Sequence, residues 1–248
     1  MDNVTVDNHG NVALLRLTSG VTNAIGPSMI ADLSSALRRI RAEYSGCVLA
    51  GGTKFFSIGL NLPELIGFDH ERMSRFWDAF DQAVLDLYTL PIPAAAAISG
   101  HAVAGGTILA MSVDYRLIAP GRNFMGLNEI NIGLPVPYLA DLMLRQVVGD
   151  RVATDICYKG EMVPPEEAMA AGLVDEITTE EKIEERSIEL ISHLSEKPRA
   201  AFSLIKQNRT EAVRARFEGN RTQHKEEMLS CWFEPSVHKL LETAAEKF

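Results

Sequence analysis

The chain has 248 residues and a mass of 27.2 kDa, with 23% charged and 46% hydrophobic residues, 18 Gly and 11 Pro. That balance fits one large folded domain or one domain with a modest appendage, and it excludes disordered, collagen-like and coiled-coil classes. Lys and Arg total 24 against 33 Asp and Glu, a formal charge of -9, and the densest basic stretch (Arg209, Arg214, Arg216, Arg221) lies among glutamates, so no nucleic-acid partner is expected.

In chain order, Val4 to Val6 and Val12 to Leu17 read as two strands of an opening hairpin, with Asp7, Asn8, His9, Gly10 and Asn11 as its polar turn. Ser28 to Arg41 carries apolar residues at helical spacing, and Pro27 suits its first turn. Cys47 to Ala50 is a compact strand. Phe68 to Leu90 reads as a helix whose stripe of Phe76, Trp77, Phe80, Val84 and Leu87 serves the core, a substrate-pocket wall, or both. Ala94 to Ile98 and Tyr115 to Ala119 continue an α/β rhythm. The apolar run from Ala94 to Val113 is interrupted by Ser99, Gly100, His101, Gly105, Gly106 and Thr107, so it reads as a buried strand feeding a buried helix, and no membrane span is expected. From Glu180 onward charged residues thicken around periodic apolar ones, Lys197, Pro198 and Arg199 mark a break, and the last fifty or so residues read as a helical appendage.

Cys47, Cys157 and Cys231 are widely spaced and form no CxxC pair, and the six histidines are dispersed. Free thiols, no metal site and a cytoplasmic location are therefore expected, in keeping with an amino terminus, MDNVTVDNHG, that lacks a basic start and apolar run.

Two passages carry candidate chemistry: KFFSIGLNLPE from Lys54 to Glu64 and ISGHAVAGGTILA from Ile98 to Ala110. Each sets a glycine turn between a probable strand and a helical start, where unpaired backbone N–H groups can converge on an anion. On pattern alone each is either a structural turn or half of an oxyanion hole. Neither matches GxGxxG or GxxxxGK[ST], so no dinucleotide or phosphate loop is indicated.

Together, TNAI near residue 22, these two turns, GLNEINIGLPVP from Gly126 and the later GEMVPPEEAMAAGLVDEI resemble, in order and separation, the enoyl-CoA hydratase/isomerase or crotonase family across nearly the whole chain. The resemblance implies an α/β fold built as a spiral of repeated ββα units with two roughly perpendicular sheets. It divides the chain into an acyl-CoA-binding and catalytic core, residues 1–190, and a helical C-terminal assembly region, residues 191–248. A homotrimer or a dimer of trimers is implied.

The resemblance also assigns roles. The backbone N–H groups of Leu60 and Gly105 would receive a thioester carbonyl, and Glu129 matches the family's catalytic glutamate, although by pattern alone it reads as a solvent-facing residue. Ala24, Ser57, Ile58, Leu60 and Gly105 match stretches around coenzyme A, which is carried as part of the substrate; no redox or metal cofactor is implied. Lys54 or Lys239 would meet its phosphates or simply face solvent. A hydratase of this family typically uses a second glutamate where this chain has Ile108, and isoleucine cannot activate water. The expectation is therefore an isomerase that moves a 3-enoyl-CoA double bond to the 2-position through Glu129. Alternatives are a specialised hydratase, a hydrolase drawing on Glu64, Asp69 or His70, and a noncatalytic acyl-CoA binder.

Overall fold

The computed structural model describes residues 2–246. Strands β1 (Val4–His9) and β2 (Val12–Leu17) form the antiparallel hairpin, paired from Val4↔Leu17 to His9↔Val12. The turn is shorter than expected: Asp7, Asn8 and His9 belong to the strand. Their polar side chains are tolerated because β1 is the edge of its sheet and only Val4 in it is fully buried.

Three successive units then follow one plan. Helix α1 (Pro27–Glu43), with Pro at its start, leads to β3 (Gly46–Ala50) and β4 (Phe55–Ser57). After α2 (Leu62–Leu65) and α3 (His70–Tyr88) come β5 (Ala94–Ile98) and β6 (His101–Val103). After α4 (Gly105–Met111) come β7 (Tyr115–Ile118) and β8 (Met125–Gly126). The first strand of each pair joins a six-stranded sheet of order β1-β2-β3-β5-β7-β9, parallel beyond the hairpin, with β9 spanning Glu176–Ile177. The second joins a parallel three-stranded sheet, β4-β6-β8. This is the expected ββα spiral.

The alternation of side chains explains the all-alanine strand. In β5, Ala94 and Ala96 face the main core while Ala95 and Ala97 face a second apolar layer, which is closed by Ile183 and Ile191 of helix α5 (Ile183–Ser195). Both faces are covered, so small side chains let the layers close. The 190/191 division falls inside α5, and the chain leaves the sheet only after Ser195.

The remaining tail is one long helix, α6 (Arg199–Trp232), and a shorter one, α7 (Pro235–Ala245). Helix α6 packs on α3, and α7 packs on α2 and on the 3-10 turn Glu129–Ile132. Its base is pinned by buried Lys206, whose Nζ donates to Asp114 Oδ2 at 2.8 Å and to the Ile92 carbonyl at 3.1 Å. Among the described residues no helix is long and apolar enough to cross a membrane.

Candidate active site

The small sheet assembles the site. Leu60 lies three residues after β4, Gly105 two after β6, and Glu129 three after β8, so neighbouring parallel strands deliver all three at their C-terminal ends. Such ends are where open parallel sheets present ligand sites.

The two turns lie against each other. A Cβ built on Gly105 would stand 3.3 Å from Gly59 Cα and 3.6 Å from Leu60 N, while one on Gly59 would stand 3.1 Å from Gly105 N. A Cβ on Gly106 would collide with the Ser57 carbonyl, so only glycine lets α4 approach this closely. Ala104 takes φ +47°, a conformation strained for a residue other than glycine, and turns the chain sharply into α4. Thr107 locks the arrangement from within: its buried hydroxyl donates to the Ala102 carbonyl at 2.6 Å and accepts from Gly126 N at 3.0 Å, joining α4, β6 and β8. Among the described residues, neither Leu60 N nor Gly105 N donates to a protein acceptor. Two free donors therefore sit side by side.

They open onto a cavity of about 280 Å³ that also contains Glu129. Its walls are apolar: Phe55, Ile58, Trp77, Phe80, Ile108, Ile132, Leu134, Met228 and Ala244 contribute, and among the described residues Glu129 is the only carboxylate that lines it. Glu129 is 6% exposed, and its Oε2 has no hydrogen-bond partner. Burial pushes its carboxyl up to about 7, against a smaller opposing effect of its own backbone N–H. The pattern-based reading of Glu129 as solvent-facing is thus corrected: the 3-10 turn carries it inward, while its neighbour Ile130 points out.

The structure brings Glu129, Leu60, Gly105 and Ile58 around one cavity, with Ile108 on its wall. Ser57 and Ala24, expected around coenzyme A, do not line this cavity. Ser57 is fully buried, its Oγ donating to the Asn23 carbonyl and accepting from Gly59 N, so its side chain shapes the turn instead of meeting a ligand. Ala24 is half-buried beside the bridge that joins Ile25 to Leu60, where its segment sets backbone shape. Lys54 and Lys239 are exposed and off the cavity wall.

The candidates for a hydrolytic carboxylate lie elsewhere. Glu64 binds Asn61, Asp69 caps α3 through Arg72 N, and His70 stacks on Phe233. His101 packs between Phe55 and Phe124 with its Nδ1 accepting from Phe124 N. The contributions of Thr107, Met228 and Ala244 were not apparent from the sequence; the last two come from the tail, more than a hundred residues away from the turns.

A profile of the enoyl-CoA hydratase/isomerase family matches residues 7–247. The chain is 27% identical to the human mitochondrial enoyl-CoA delta isomerase 1, over 98% of this chain and 82% of that protein. It is 33% identical to an Arabidopsis thaliana enoyl-CoA delta isomerase 3, over 69% and 75% respectively. The crystal structure of human mitochondrial delta3-delta2-enoyl-CoA isomerase superposes with a TM-score of 0.95 at 26% identity, covering 99% of this chain and 97% of that one. An enoyl-CoA hydratase from Bacillus halodurans shares the fold with a TM-score of 0.89 at 20% identity, covering 97% and 99%. This chain belongs to the enoyl-CoA hydratase/isomerase family. Hydratases and isomerases share this fold, so what distinguishes them lies in the residues of the cavity.

Proposed function

We infer that the protein is a Δ3,Δ2-enoyl-CoA isomerase in which Glu129 is the single proton carrier. The observation that carries this reading is a cavity with one buried carboxylate, two unpaired backbone donors and an isoleucine at position 108. The thioester carbonyl accepts from Leu60 N and Gly105 N. Glu129 removes a proton from C2 of the 3-enoyl group, the electron pair delocalises onto the thioester oxygen, and the resulting dienolate takes the proton back at C4. The double bond then lies between C2 and C3, and the carboxylate is restored.

Physical reasons favour each step. Charge grows on the oxygen as the dienolate forms, so fixed donors in a water-poor cavity stabilise that state more than the ground state. A carboxyl near 7 is basic enough to accept a proton and acidic enough to return it at neutral pH. No metal or redox cofactor is required, and coenzyme A enters with the substrate. Hydration would need a second group to hold water, and Ile108 offers none.

Assembly as a homotrimer or dimer of trimers is part of the proposal, supported by exposed Ile130, Tyr158, Leu204, Ile205 and Leu240. Light scattering of the purified protein tests it. A cytoplasmic location is likewise proposed, supported by three free cysteines; cell fractionation decides it against the mitochondrial and peroxisomal names of several relatives. The activity itself is tested by offering 3-enoyl-CoA with an added 2-enoyl-CoA hydratase: coupled product supports the isomerase, and its absence at every chain length sinks it.

A further inference from the structure

Two residues other than glycine take a positive φ among the described residues, Asn23 at +46° and Ala104 at +47°. Asparagine tolerates this region, and its side chain is engaged there, Nδ2 donating to the Phe56 carbonyl at 3.1 Å. Alanine has no such compensation. With ψ −111°, Ala104 takes the values that a type II′ turn asks of its first central residue, about +60° and −120°, a seat that normally belongs to glycine. Hydrogen bonds on both sides impose the shape: Ala104 N donates to the Gly126 carbonyl at 2.9 Å, and the Ala104 carbonyl accepts from Ile108 N at 3.0 Å. Glycine would satisfy both bonds without strain, so the methyl group needs its own explanation.

Its surroundings supply one. Ala104 lies on the wall of the acyl cavity and directly precedes Gly105, whose N–H is one of the two free donors. Facing it is Gly59, which directly precedes Leu60, the other donor. A Cβ built on Gly59 would stand 3.3 Å from Ala104 Cβ, 3.1 Å from Gly105 N and 2.9 Å from the Val103 carbonyl oxygen. The seam between the turns thus has room for one methyl group and not for two. Removing that methyl would open a gap close to the roughly 30 Å³ that a water molecule occupies in the liquid, beside two unpaired N–H groups able to hold one.

We propose that Ala104 is a positioning residue of the site: its methyl is the spacer that keeps the two turns apart, so that Leu60 N–H and Gly105 N–H meet on one oxygen, and it excludes water from the seam. The inference rests on the acyl-CoA reading of the cavity, through binding of the thioester and not through its turnover. Donors stabilise a growing oxyanion most when they are fixed in advance and free of competing water, which offsets the strain at Ala104.

The test follows the thioester carbonyl itself. Hydrogen bonding lowers its stretching frequency, so infrared difference spectra of a saturated acyl-CoA carrying carbon-13 at that carbonyl report how well the donors engage it. The band is expected to move to lower frequency on binding to wild type, and to move less in Ala104→Gly. In the same variant kcat for 3-enoyl-CoA should fall about tenfold, short of the loss of a whole donor. Affinity for the saturated acyl-CoA should stay within about twofold, and Tm should not fall, because glycine relieves the strain. Ala104→Ser, which keeps the Cβ, should return the band to its wild-type position. A wild-type band and wild-type kcat in Ala104→Gly overturn the proposal, as does an Ala104→Ser protein that behaves like Ala104→Gly. So does a loss of kcat that tracks equal losses of affinity and Tm, the mark of a packing role. A wild type that moves the band, and moves it further than Ala104→Gly, but isomerises no 3-enoyl-CoA would overturn the reaction and leave the spacer standing.

Discussion

On one side of the acyl cavity, Leu60, Gly105 and Glu129 follow three hydrogen-bonded strands and come within three residues of their ends. The other side is helical: Trp77 and Phe80 arrive on α3, Met228 on α6 and Ala244 on α7. Strand register fixes backbone groups closely, because β6 is hydrogen-bonded to both β4 and β8 and so ties the ends of the three strands together. Helix faces fix side chains through packing, which tolerates exchange of volume. The division teaches where this chain holds its polar groups and where it can vary the shape of the cavity: the buried carboxylate and the two free backbone donors follow the sheet, and the apolar wall rides on helices that a few substitutions can remodel.

The sharpest way to break that contrast is at the carboxylate. Glu129→Gln keeps size and shape but removes the proton acceptor, so kcat for 3-enoyl-CoA should fall about 10³-fold or more while acyl-CoA affinity holds; steady-state kinetics beside calorimetric binding checks both. Wild-type kcat/KM should rise with pH through about 7 and then level, since the ionised form is the base.

Lys206→Met attacks the helical side at its root, leaving Asp114 without its buried cation. Stability should drop by about 3 kcal/mol, a Tm shift of roughly 10 °C for a chain this long. The kcat of the protein that remains folded should not change, because Lys206 is remote from the cavity wall. A matching loss of kcat would mean that the two sides are not separable.

Glu129 also leaves a mark on stability. Its carboxyl titrates at an ordinary 4.5 when exposed and at about 7 when folded, so the native state binds the proton more tightly. The stability this confers is complete below about pH 4.5 and is lost as pH rises through about 7. Denaturant titrations should therefore show Glu129→Gln gaining about 3 kcal/mol on wild type between about pH 4 and about pH 8.

A smaller effect is expected at the donors. Gly105→Ala sets a Cβ 3.1 Å from Ile25 Cδ1 and 3.6 Å from Leu60 N, crowding the space where the thioester oxygen must sit without removing either N–H. Loss in kcat/KM should reach about tenfold, below the cost of deleting a donor, and initial-rate assays decide it.

Much of this architecture was legible because its signals are local. The hairpin strands, α1 with Pro27 at its start and the buried β5 all follow from periodicity and punctuation. Strand β8 did not, since two residues, Met125 and Gly126, carry no period to read. The hairpin turn was overextended because Asp7, Asn8 and His9 look like turn residues and only pairing with β2 makes them strand. At the site, the glycine turns were visible as turns, but their contact depends on β4–β6 register. Glu129 was placed by family resemblance alone, because its burial depends on a 3-10 turn covered by α7.

The central claim is a single buried carboxylate working without a water-activating partner. Product analysis by chromatography that separates the two double-bond isomers, with mass detection of hydration or cleavage, tests it most directly: 3-enoyl-CoA and 2-enoyl-CoA are supplied separately to wild type and to Glu129→Gln. The account predicts that wild type converts the 3-enoyl to the 2-enoyl thioester with no change of mass, adds no water to the 2-enoyl thioester, releases no free coenzyme A, and loses this activity in the glutamine variant. A hydrated product, released coenzyme A, or full activity in Glu129→Gln would contradict it.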